Sequence, residues 1–473
     1  MSCLEDFIRE HREDDVRQLA LQGGRYPDVD MAFALQQIAG WQMARKKIPS
    51  WAAIDGIVYP PHLSMEQCSS EQTARYKALI LSRCTTSWYE VRGARYENSI
   101  EGLDSNLVPR TSHHAPRNIV DLTGGLGVDF AFLAQAIAPV ADSLRCGFEE
   151  ATATYVERLP HLCEAARKNF ELLGLAHAEV VCGDGVEYLH QLDRATLIYL
   201  DPARRDGHGG RTYAISDCTP DVLTLEEELL EKAEWVMLKL SPMLDWHKAV
   251  SDLNRLGDVV REVHIVSVGN ECKELLLLLS KNHHDELSIH CVNDDSCFVF
   301  SRSENCNESR SEERGTGSEN CNSTPTGKAN TYLTPRSSLL APQTQDYLYE
   351  PNASIMKAGC FGLLQKRLSV TPIGQNSHLF VSAHFIEDFP GRKFQISAVS
   401  SVNKNVTRQL LDSTDRANIA VRNFPMTADV LRKKLKLKDG GDTYIFGTTV
   451  DNRAFAEIWK VKSGPVLVIA KKT

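Results

Sequence analysis

The stretch 118–129 contains the residues best suited to binding a charged small molecule. A short apolar run ends in Asp121, and Gly124, Gly125 and Gly127 follow before an apolar helical pattern begins. Glycines permit positive φ and close approach of the backbone to a ligand, and the free N–H groups of the next helix face the same place. The pattern predicts a buried strand, a glycine turn and a helix start that together bind a nucleotide.

The glycine spacing argues against a dinucleotide. The G-x-G-x-x-G fingerprint needs its second glycine two residues after the first and its third three residues later. Here the glycines fall at 124, 125 and 127, and position 130 is Phe. Asp121 at the strand end suits a cationic amino group better than a pyrophosphate. This favours S-adenosylmethionine, whose methionine part carries an ammonium and whose sulfonium is positive.

Three further motifs follow in order along the chain. They are Asp201-Pro202-Ala203-Arg204-Arg205-Asp206, the stretch 270–274 (Asn-Glu-Cys-Lys-Glu) and the stretch 349–359 (Tyr-Glu-Pro-Asn-Ala-Ser-Ile-Met-Lys-Ala-Gly). With the glycine turn, the chain resembles the class I S-adenosylmethionine-dependent methyltransferases. Most of it resembles the bacterial subgroup that carries a THUMP-like domain. The ordered series is more specific to family than to substrate.

The resemblance implies a carboxylate after the second strand that binds the ribose diol. Glu149 and Glu150 lie nearest the usual distance from the glycine turn, but Glu157 is preferred because it ends the run Ala-Thr-Ala-Thr-Tyr-Val. An exposed strand-end glutamate is the alternative. An acid after the third strand, Asp184, would reach the adenine amino group. The implied cofactor-binding residues are Asp121, Thr123, Gly124, Gly125, Gly127, Asp129, Glu157 and Asp184.

The segment after the fourth strand would hold the methyl acceptor. Asp201 and Pro202 match the Asp/Asn-Pro-Pro-aromatic motif of amino methyltransferases, whereas Ala203 and Arg204 replace the second proline and the aromatic residue. Arg204 and Arg205 could stack on a base or bind phosphate, while Asp201 orients or deprotonates the nucleophile. The implied catalytic residues are Asp201, Pro202, Arg204 and Arg205. An ion pair between Asp201 and an arginine that only holds the loop is the alternative.

Two other features near this segment have weaker functional interpretations. Uridine C5 methyltransferases have a similar Asp-Pro-Pro-Arg motif but need a nucleophilic cysteine, and Cys218 is the nearby thiol to consider; a buried, inert cysteine is the preferred interpretation. Ser241 and the stretch 270–274 end later strands at the same edge and could line the acceptor pocket. Within that stretch, Glu271 and Lys273 could equally form a surface ion pair.

These motifs need an alternating α/β framework to bring them together. Short apolar runs alternate with amphipathic helical segments, which predicts a parallel sheet covered by helices with the ligand at the carboxyl ends of its strands. The predicted strands are 119–122, 151–156, 179–182, 196–200, 235–240 and 263–268, followed by closing antiparallel strands at 274–280 and 287–292. In the N-terminal region, Asp28 is predicted to cap one helix and Ser69-Ser70-Glu71-Gln72 to begin another.

The fold class is therefore α/β, a Rossmann-like core with an N-terminal helical domain and C-terminal α+β domains. In the last part, 419–424 is strand-like, Thr427 caps a helix that Gly440-Gly441 ends, and a strand resumes at Tyr444; this order suggests a ferredoxin-like unit. The predicted domains are 1–95 helical, 96–300 methyltransferase, 301–335 a flexible Ser/Glu/Asn-rich insertion, 336–392 THUMP-like and 393–473 ferredoxin-like.

Charge is unevenly distributed between the parts of the chain. The net charge is −9, but residues 391–473 carry 16 Lys+Arg against 7 Asp+Glu, a net charge of +9. The densest basic run would present lysines to structured RNA, whereas a solvated surface is an equal alternative from charge alone. A THUMP-like domain favours RNA. The basic residues considered are Arg432, Lys433, Lys434, Lys436, Lys438, Lys404, Arg408 and Arg422.

The remaining composition excludes several protein classes. The 13 cysteines form no C-x-x-C pair or Cys/His cluster, so we expect reduced thiols and no metal site. The N-terminus is charged and lacks signal-peptide character, and no apolar run is long enough to span a membrane, so a cytoplasmic protein is expected. The resulting hypothesis is an S-adenosylmethionine-dependent methyltransferase acting on tRNA or rRNA. The alternatives are methylation of a small molecule or protein, and a noncatalytic RNA-binding protein with a relictual core.

Overall fold

The computed structural model describes most of the chain as two compact units, Met1–His290 and Cys291–Thr473. The described residues are 3–85, 118–137, 151–204, 215–283, 285–305, 347–402, 411, 414–451, 456, 459 and 461–473. Five residues weighed above lie outside them, namely Glu149, Glu150, Arg205, Lys404 and Arg408. So does most of the predicted insertion 301–335. Among the described residues, no helix has the length and apolar character that a membrane span requires.

Helices make up the N-terminal part of the first unit, as predicted. The cap of the third helix is Asp30, whose carboxylate accepts from Phe33 N at 3.1 Å, and not Asp28 as predicted. The predicted helix start near Ser70 is confirmed, since Ser70 Oγ accepts from Thr73 N at 3.3 Å. The helices are α1 Cys3–His11, α2 Val16–Leu21, α3 Met31–Lys47, α4 Pro49–Ala52, α5 His62–Gln67 and α6 Glu71–Thr85.

A twisted sheet follows, built from the apolar runs of the sequence pattern. Its strands occur in the order β11-β10-β8-β9-β7-β4-β1-β2-β3, in which β3, β2, β1, β4 and β7 are parallel. This arrangement confirms the predicted α/β class. The strands are β1 Asn118–Asp121, β2 Thr152–Glu157, β3 Ala178–Cys182, β4 Ala195–Leu200, β7 Ala233–Leu240, β8 Val260–Val268, β9 Glu271–Leu279, β10 Ser288–Asn293 and β11 Ser296–Ser301.

The five-leucine run 275–279 explains how the sheet ends. It lies in β9, which is antiparallel to both β7 and β8 and separates them. All five leucines are buried, as expected for a strand covered on both faces. The antiparallel direction places the first residues of β9 beside the last residues of β7, so Glu274 lies at the edge where the parallel strands end.

The helices around the sheet share their core with the N-terminal helices. Buried Asn169 joins the two regions directly, because its amide donates to Val58 O at 2.9 Å and accepts from Val58 N at 2.8 Å. The residues predicted as a separate helical domain therefore belong to the same compact unit as strands β1 to β4 and β7 to β9. The helices are α7 Val128–Ile137, α8 Pro160–Leu172, α9 Gly185–Gln191, α10 Val222–Lys232 and α11 Trp246–Leu253; a short ribbon pairs β5 Ala203–Arg204 with β6 Cys218–Thr219.

The second unit contains a seven-stranded sheet in the order β13-β14-β12-β15-β18-β17-β16. The predicted crossover is present, since parallel β16 and β17 are joined by a helix that Thr427 caps. That helix ends at Leu435 with Lys436 at φ 56°, before the glycines predicted to end it. The elements are β12 Tyr347–Pro351, α12 Ala353–Ala358, α13 Phe361–Leu368, β13 Thr371–Pro372, β14 Phe380–Ser382, β15 Gly391–Ser401, β16 Asn418–Arg422, α14 Ala428–Leu435, β17 Thr443–Val450 and β18 Gly464–Lys472.

Part of the motif 349–359 has a structural role in this unit. Glu350 on β12 is buried and forms ion pairs with Arg392 on β15 and Arg422 on β16, the latter at 2.8 Å. Asn352 caps α12 by accepting from Ile355 N at 3.0 Å, and Gly359 ends it at φ 71°. Arg422, which the sequence groups with the basic surface, is therefore held by Glu350.

Candidate functional site

The glycine turn between β1 and α7 is fitted against the ring of Tyr155. A Cβ at Gly124 would lie 2.3 Å from Tyr155 Cε2, so only glycine fits there without movement of the ring. Tyr155 Oη donates to Gly125 O at 2.5 Å, and Gly124 N donates to Val156 O at 2.9 Å. Gly125 and Gly127 have φ of 58° and 81°. The turn thus depends on glycine for both space and backbone conformation.

Glu157 lies at this turn, at the end of β2. Its Oε2 accepts from Gly125 N at 2.9 Å, and its Oε1 accepts from Leu159 N at 2.9 Å. The carboxylate predicted to follow the second strand is thus beside the glycine turn. Glu157 is only partly buried.

Thr123 joins the glycine turn to the segment after the fourth strand. Its N–H and Oγ1 donate to Asp121 Oδ1 at 2.9 and 3.3 Å, and its Oγ1 accepts from Asp201 N at 2.7 Å. Parallel pairing of β1 with β4 brings the two ends together, as Leu122 N donating to Tyr199 O at 3.1 Å shows. Asp121, Thr123, Glu157 and Asp201 are therefore at one edge of the sheet.

Asp184 follows β3 at the same edge. Its Oδ1 accepts from Val186 N at 2.8 Å and from Glu187 N at 3.3 Å, which caps α9. Gly185 packs against the backbone of β1, since a Cβ there would lie 2.1 Å from Leu122 O. The third predicted acid thus lies next to the strand that leads into the glycine turn.

Asp129 is placed differently from the other predicted cofactor-binding residues. It is buried in the first turn of α7, and its Oδ2 accepts from Ser69 Oγ and Tyr199 Oη, both at 2.7 Å. Lys77 Nζ lies 3.1 Å from its Oδ1. The structure therefore gives this carboxylate protein partners, and the sequence offered no sign of them because Ser69 and Lys77 come from the N-terminal helices.

Lys77 and Lys239 connect three carboxylates into one network of five charged groups. Lys239 Nζ donates to Asp201 Oδ2 at 2.6 Å and to Ser69 Oγ at 3.0 Å, and lies 3.5 Å from Asp129 Oδ2. Lys77 Nζ donates to both carboxylate oxygens of Glu274, at 2.7 and 2.8 Å. Negative and positive groups alternate in the order Glu274, Lys77, Asp129, Lys239 and Asp201; we call this the charge ladder.

Burial and charge shift the titration of these groups. Burial raises the pKa of Asp121 to about 8, with a further contribution to that value from the charges of Asp129 and Asp201 and an opposing one from the hydrogen bonds of Thr123. Burial would also raise the pKa of Asp129, but Lys77 and Lys239 hold it well below its usual range. Burial lowers the pKa of Lys239, yet the carboxylates of Asp201 and Asp129 raise it overall. Lys239 is thus a permanent cation at neutral pH.

The segment that follows Asp201 is held by the short β5–β6 ribbon. Pro202 is buried, and the backbone of Arg204 pairs with that of Cys218, whose side chain is also buried. The alternative of an Asp201–arginine pair involves the side chains of Arg204 and Arg205, and both side chains lie outside the described part of the structure. Among the described residues, the cation on Asp201 is Lys239. The burial of Cys218 agrees with the interpretation of an inert thiol.

The stretch 270–274 also reaches this edge. Glu271 and Lys273 form an exposed ion pair at 2.6 Å, which is the surface pair expected as one of two interpretations of these residues. Glu274, in contrast, is buried in the charge ladder, where burial raises its pKa against the opposing effect of Lys77. Ser241 is partly buried just after β7, and its Oγ accepts from Met243 N at 3.3 Å.

One set of side chains elsewhere has the composition of a metal site. Potential ligand atoms of Glu262, His264 and His290 lie within 4.8 Å of one another. They already have protein partners: Glu262 Oε2 accepts from Arg83 Nη2 at 2.8 Å, and Tyr76 Oη bonds His264 Nδ1 at 2.8 Å. Burial lowers the pKa of both histidines. The cluster is thus held together by hydrogen bonds and ion pairs of its own.

Two family models match the second unit. One, described as a ferredoxin-like domain, matches residues 347–390, and one described as THUMP domain-like matches residues 391–460. Both kinds of domain are expected from the sequence, but in the opposite order. The crossover that suggested a ferredoxin-like unit is a local motif, and β12 and β15 pair within one sheet. The order of the two domains was therefore difficult to predict from sequence patterns. The comparison with curated proteins found no match for the chain.

One solved structure that covers nearly the whole chain supports the methyltransferase fold. The chain is 28% identical to a candidate methyltransferase from Porphyromonas gingivalis W83, with a TM-score of 0.71, covering 99% of this chain and 97% of that one. The chain also matches an O-methyltransferase from Bacillus cereus in complex with SAH. The identity is 11%, the match covers 53% of this chain and 100% of that one, and the TM-score is 0.30. A third match is the SAM-bound O-methyltransferase of tomaymycin synthesis from Streptomyces achromogenes. The identity is 14%, the match covers 45% of this chain and 81% of that one, and the TM-score is 0.28.

The fold and the match to the Porphyromonas gingivalis structure support the predicted enzyme class, a methyltransferase that uses S-adenosylmethionine. Within that class, the predicted resemblance to the bacterial methyltransferases that carry a THUMP-like domain is confirmed.

Replacing Gly124 by alanine tests the fit of the glycine turn. We expect Gly124→Ala to lower the free energy of unfolding by about 1–3 kcal/mol, because the new Cβ must displace the Tyr155 ring. We also expect it to abolish S-adenosylhomocysteine binding, measured by calorimetry. Gly183→Ala is the matched control, since a Cβ there meets nothing closer than Val181 Cγ1 at 4.0 Å. Equal behaviour of the two variants would contradict the role given to the turn.

Proposed function

We propose that the protein transfers a methyl group from S-adenosylmethionine to RNA. The proposal rests on the hydrogen bonds of Thr123. This residue bonds both Asp121, at the end of β1, and the backbone of Asp201. A cofactor held at the turn and an acceptor held by Asp201 would then be adjacent. Methyl transfer from a sulfonium is an in-line displacement, so catalysis is mainly positioning together with removal of one proton.

The residues at the glycine turn fit the cofactor. Asp121 is buried and, within the described part of the chain, forms no ion pair with a basic side chain. A buried carboxylate without a cation is costly, so the ammonium of the methionine moiety is a suitable partner. Glu157 would accept hydrogen bonds from the ribose diol, and Asp184 would reach the adenine amino group. When bound, the cofactor supplies an electrophilic methyl group.

Exposed lysines in the second unit support an RNA acceptor. Lys433, Lys434, Lys436 and Lys438 are exposed and, among the described residues, none forms an ion pair with an acid. Arg432 differs, because Asp429 and Asp439 hold it at 3.1 and 2.6 Å. These lysines lie within the region matched by the THUMP-like model. Clustered exposed lysines attract a phosphate backbone without reading its sequence, in keeping with recognition of structured RNA by shape.

Cofactor binding is expected to depend on pH through Asp121. Its pKa of about 8 means that the free protein carries a protonated carboxyl at pH 6. An ammonium binds the ionised form, so binding releases a proton below pH 8. The affinity for S-adenosylhomocysteine should therefore rise by up to about tenfold per pH unit from pH 6 and level off above pH 8. Calorimetry across this pH range measures the affinity.

Asp121→Asn is the control for the pH dependence. This variant should bind S-adenosylhomocysteine more weakly than wild type does, and its affinity should no longer change with pH. A wild-type affinity that stays constant from pH 6 to 8 would show that Asp121 does not meet the ammonium.

Loss of the Asp201 carboxylate should remove the catalytic base. With tritiated S-adenosylmethionine and total RNA from a strain that lacks the gene, we expect wild type to label RNA. Asp201→Ala should label it about tenfold or more slowly. Asp193→Ala, an exposed acid before β4, should match wild type. Equal labelling by Asp201→Ala would remove Asp201 from the site, and S-adenosylhomocysteine binding without label in any RNA would favour a small-molecule or protein acceptor or a relictual core.

The exposed lysines should contribute to RNA affinity through phosphate contacts. For bulk tRNA, the double variant Lys433→Ala/Lys434→Ala should reduce the slope of log affinity against log salt by about two. Filter binding at several salt concentrations measures this slope. Lys471→Ala/Lys472→Ala, two exposed lysines at the end of β18, should leave it unchanged. An unchanged slope in the first variant would place the RNA elsewhere.

A further inference from the structure

The ammonium of Lys239 lies beside Asp201, next to the place where the proposed methyl acceptor would bind. Its Nζ lies 2.6 Å from Asp201 Oδ2, and the exposed fraction of the side chain is 13% for Lys239 and 41% for Asp201. Lys77, deeper in the charge ladder, is 0% exposed. Only the Asp201 end of the ladder is thus open to a ligand, and it presents a carboxylate and an ammonium together.

Lys239 is fixed as a cation by the groups that face it. The carboxylates of Asp201, Asp129 and Glu274 surround its ammonium and keep its pKa raised in spite of burial. A lysine that stays protonated cannot take a proton from the acceptor. Its remaining chemical role is to attract negative charge that develops next to it.

The sign of this fixed charge distinguishes between kinds of acceptor. An amine that attacks a methyl group becomes positive, and a neighbouring ammonium would oppose that change. A hydroxyl loses its proton as it attacks and becomes more negative, so the same ammonium would stabilise it. The pair Asp201–Lys239 therefore suits an oxygen acceptor.

The residues after Asp201 agree with this distinction. The sequence Asp201-Pro202-Ala203-Arg204 has no aromatic side chain, so this segment offers no ring on which a base could stack. Nucleobase-modifying enzymes hold the extruded base by stacking between aromatic or apolar side chains. A ribose hydroxyl lies on the backbone of the nucleic acid and needs no such ring.

We infer that the acceptor atom is the 2′-hydroxyl oxygen of an RNA ribose and that Lys239 stabilises the negative charge that develops on it. The inference rests on the proposed function and specifies its substrate atom.

The proposed step balances with the residues and the cofactor already named. A new O–C bond forms between the hydroxyl oxygen and the methyl carbon, and the S–C bond breaks with its electron pair going to sulfur. The hydroxyl proton passes to the Asp201 carboxylate, which returns it to solvent through its exposed side. The products are a 2′-O-methyl ribose and S-adenosylhomocysteine.

The experiment combines product analysis with substitutions of Lys239. Total RNA from a strain that lacks the gene is methylated in vitro and digested, and nucleosides are separated by mass spectrometry into ribose-methylated and base-methylated forms. Single-turnover rates are measured for wild type, Lys239→Met and Lys239→Arg. Lys232→Met, which removes a lysine paired with Glu228 at 2.9 Å elsewhere in the unit, is the matched control. Calorimetry with S-adenosylhomocysteine and thermal unfolding accompany each variant.

We expect a 2′-O-methyl nucleoside as the product and a rate loss of about 100-fold or more for Lys239→Met. Lys239→Arg, which keeps the charge, should recover a substantial part of the rate. S-adenosylhomocysteine affinity should change little in either variant, which separates charge stabilisation from a folding defect.

Three results would overturn the inference. A base-methylated product would overturn it while leaving the proposed function intact. Absence of label from all RNA would overturn both, and a wild-type rate in Lys239→Met would remove the lysine from the reaction. Should Lys239→Met fail to fold, the identity of the product and the rate of Lys239→Arg still test the inference. A Lys239→Arg rate as low as that of Asp201→Ala would overturn it, because that variant keeps the positive charge.

Discussion

The buried ammonium of Lys77 is the interaction on which the site depends. Its side chain is fully buried, and its ammonium lies 2.7 Å from a carboxylate oxygen of Glu274 and 3.1 Å from one of Asp129. Removing one partner from such a pair leaves an uncompensated charge and costs about 3–5 kcal/mol. These contacts join α6, α7 and β9, and Lys239 extends them to Asp201. The carboxylate of Asp201 is thus connected, through Lys239 and Asp129, to helices outside the sheet.

The glycine turn could be predicted because its causes are local. Three glycines within four residues, an apolar run before them and a helical pattern after them already specify a strand, a turn and a helix. Glu157 could be predicted for a similar reason, since the end of a β-branched run marks the end of a strand. Structure added the detail that Gly124 is required by the ring of Tyr155, which pairs opposite Asp121 on the neighbouring strand.

The charge ladder could not be predicted, because its partners are distant in the sequence. Lys77 and Glu274 are separated by 197 residues, and Ser69 and Lys239 by 170. In the sequence, Lys77 resembles any lysine of an amphipathic helix, and Asp129 resembles part of the glycine motif. Antiparallel β9 brings Glu274 to the site, and strand direction of this kind is a property of the sheet as a whole. Boundaries within local motifs failed for a related reason, as Asp30 rather than Asp28 shows, because neighbouring polar residues offer equivalent caps.

The acceptor preference that we propose for the site depends on more than its α/β core. A parallel sheet with a glycine turn accounts for a cofactor, and many chemistries can be built at that edge. What is specific here is the sign and order of the charges that the N-terminal helices and β9 deliver to Asp201. Because Asp129 and Glu274 hold Lys77, and Asp129 and Asp201 hold Lys239, each cation is shared between two carboxylates. A change at any one member would alter the field at Asp201, which in the proposed reaction would change the kind of atom that is methylated.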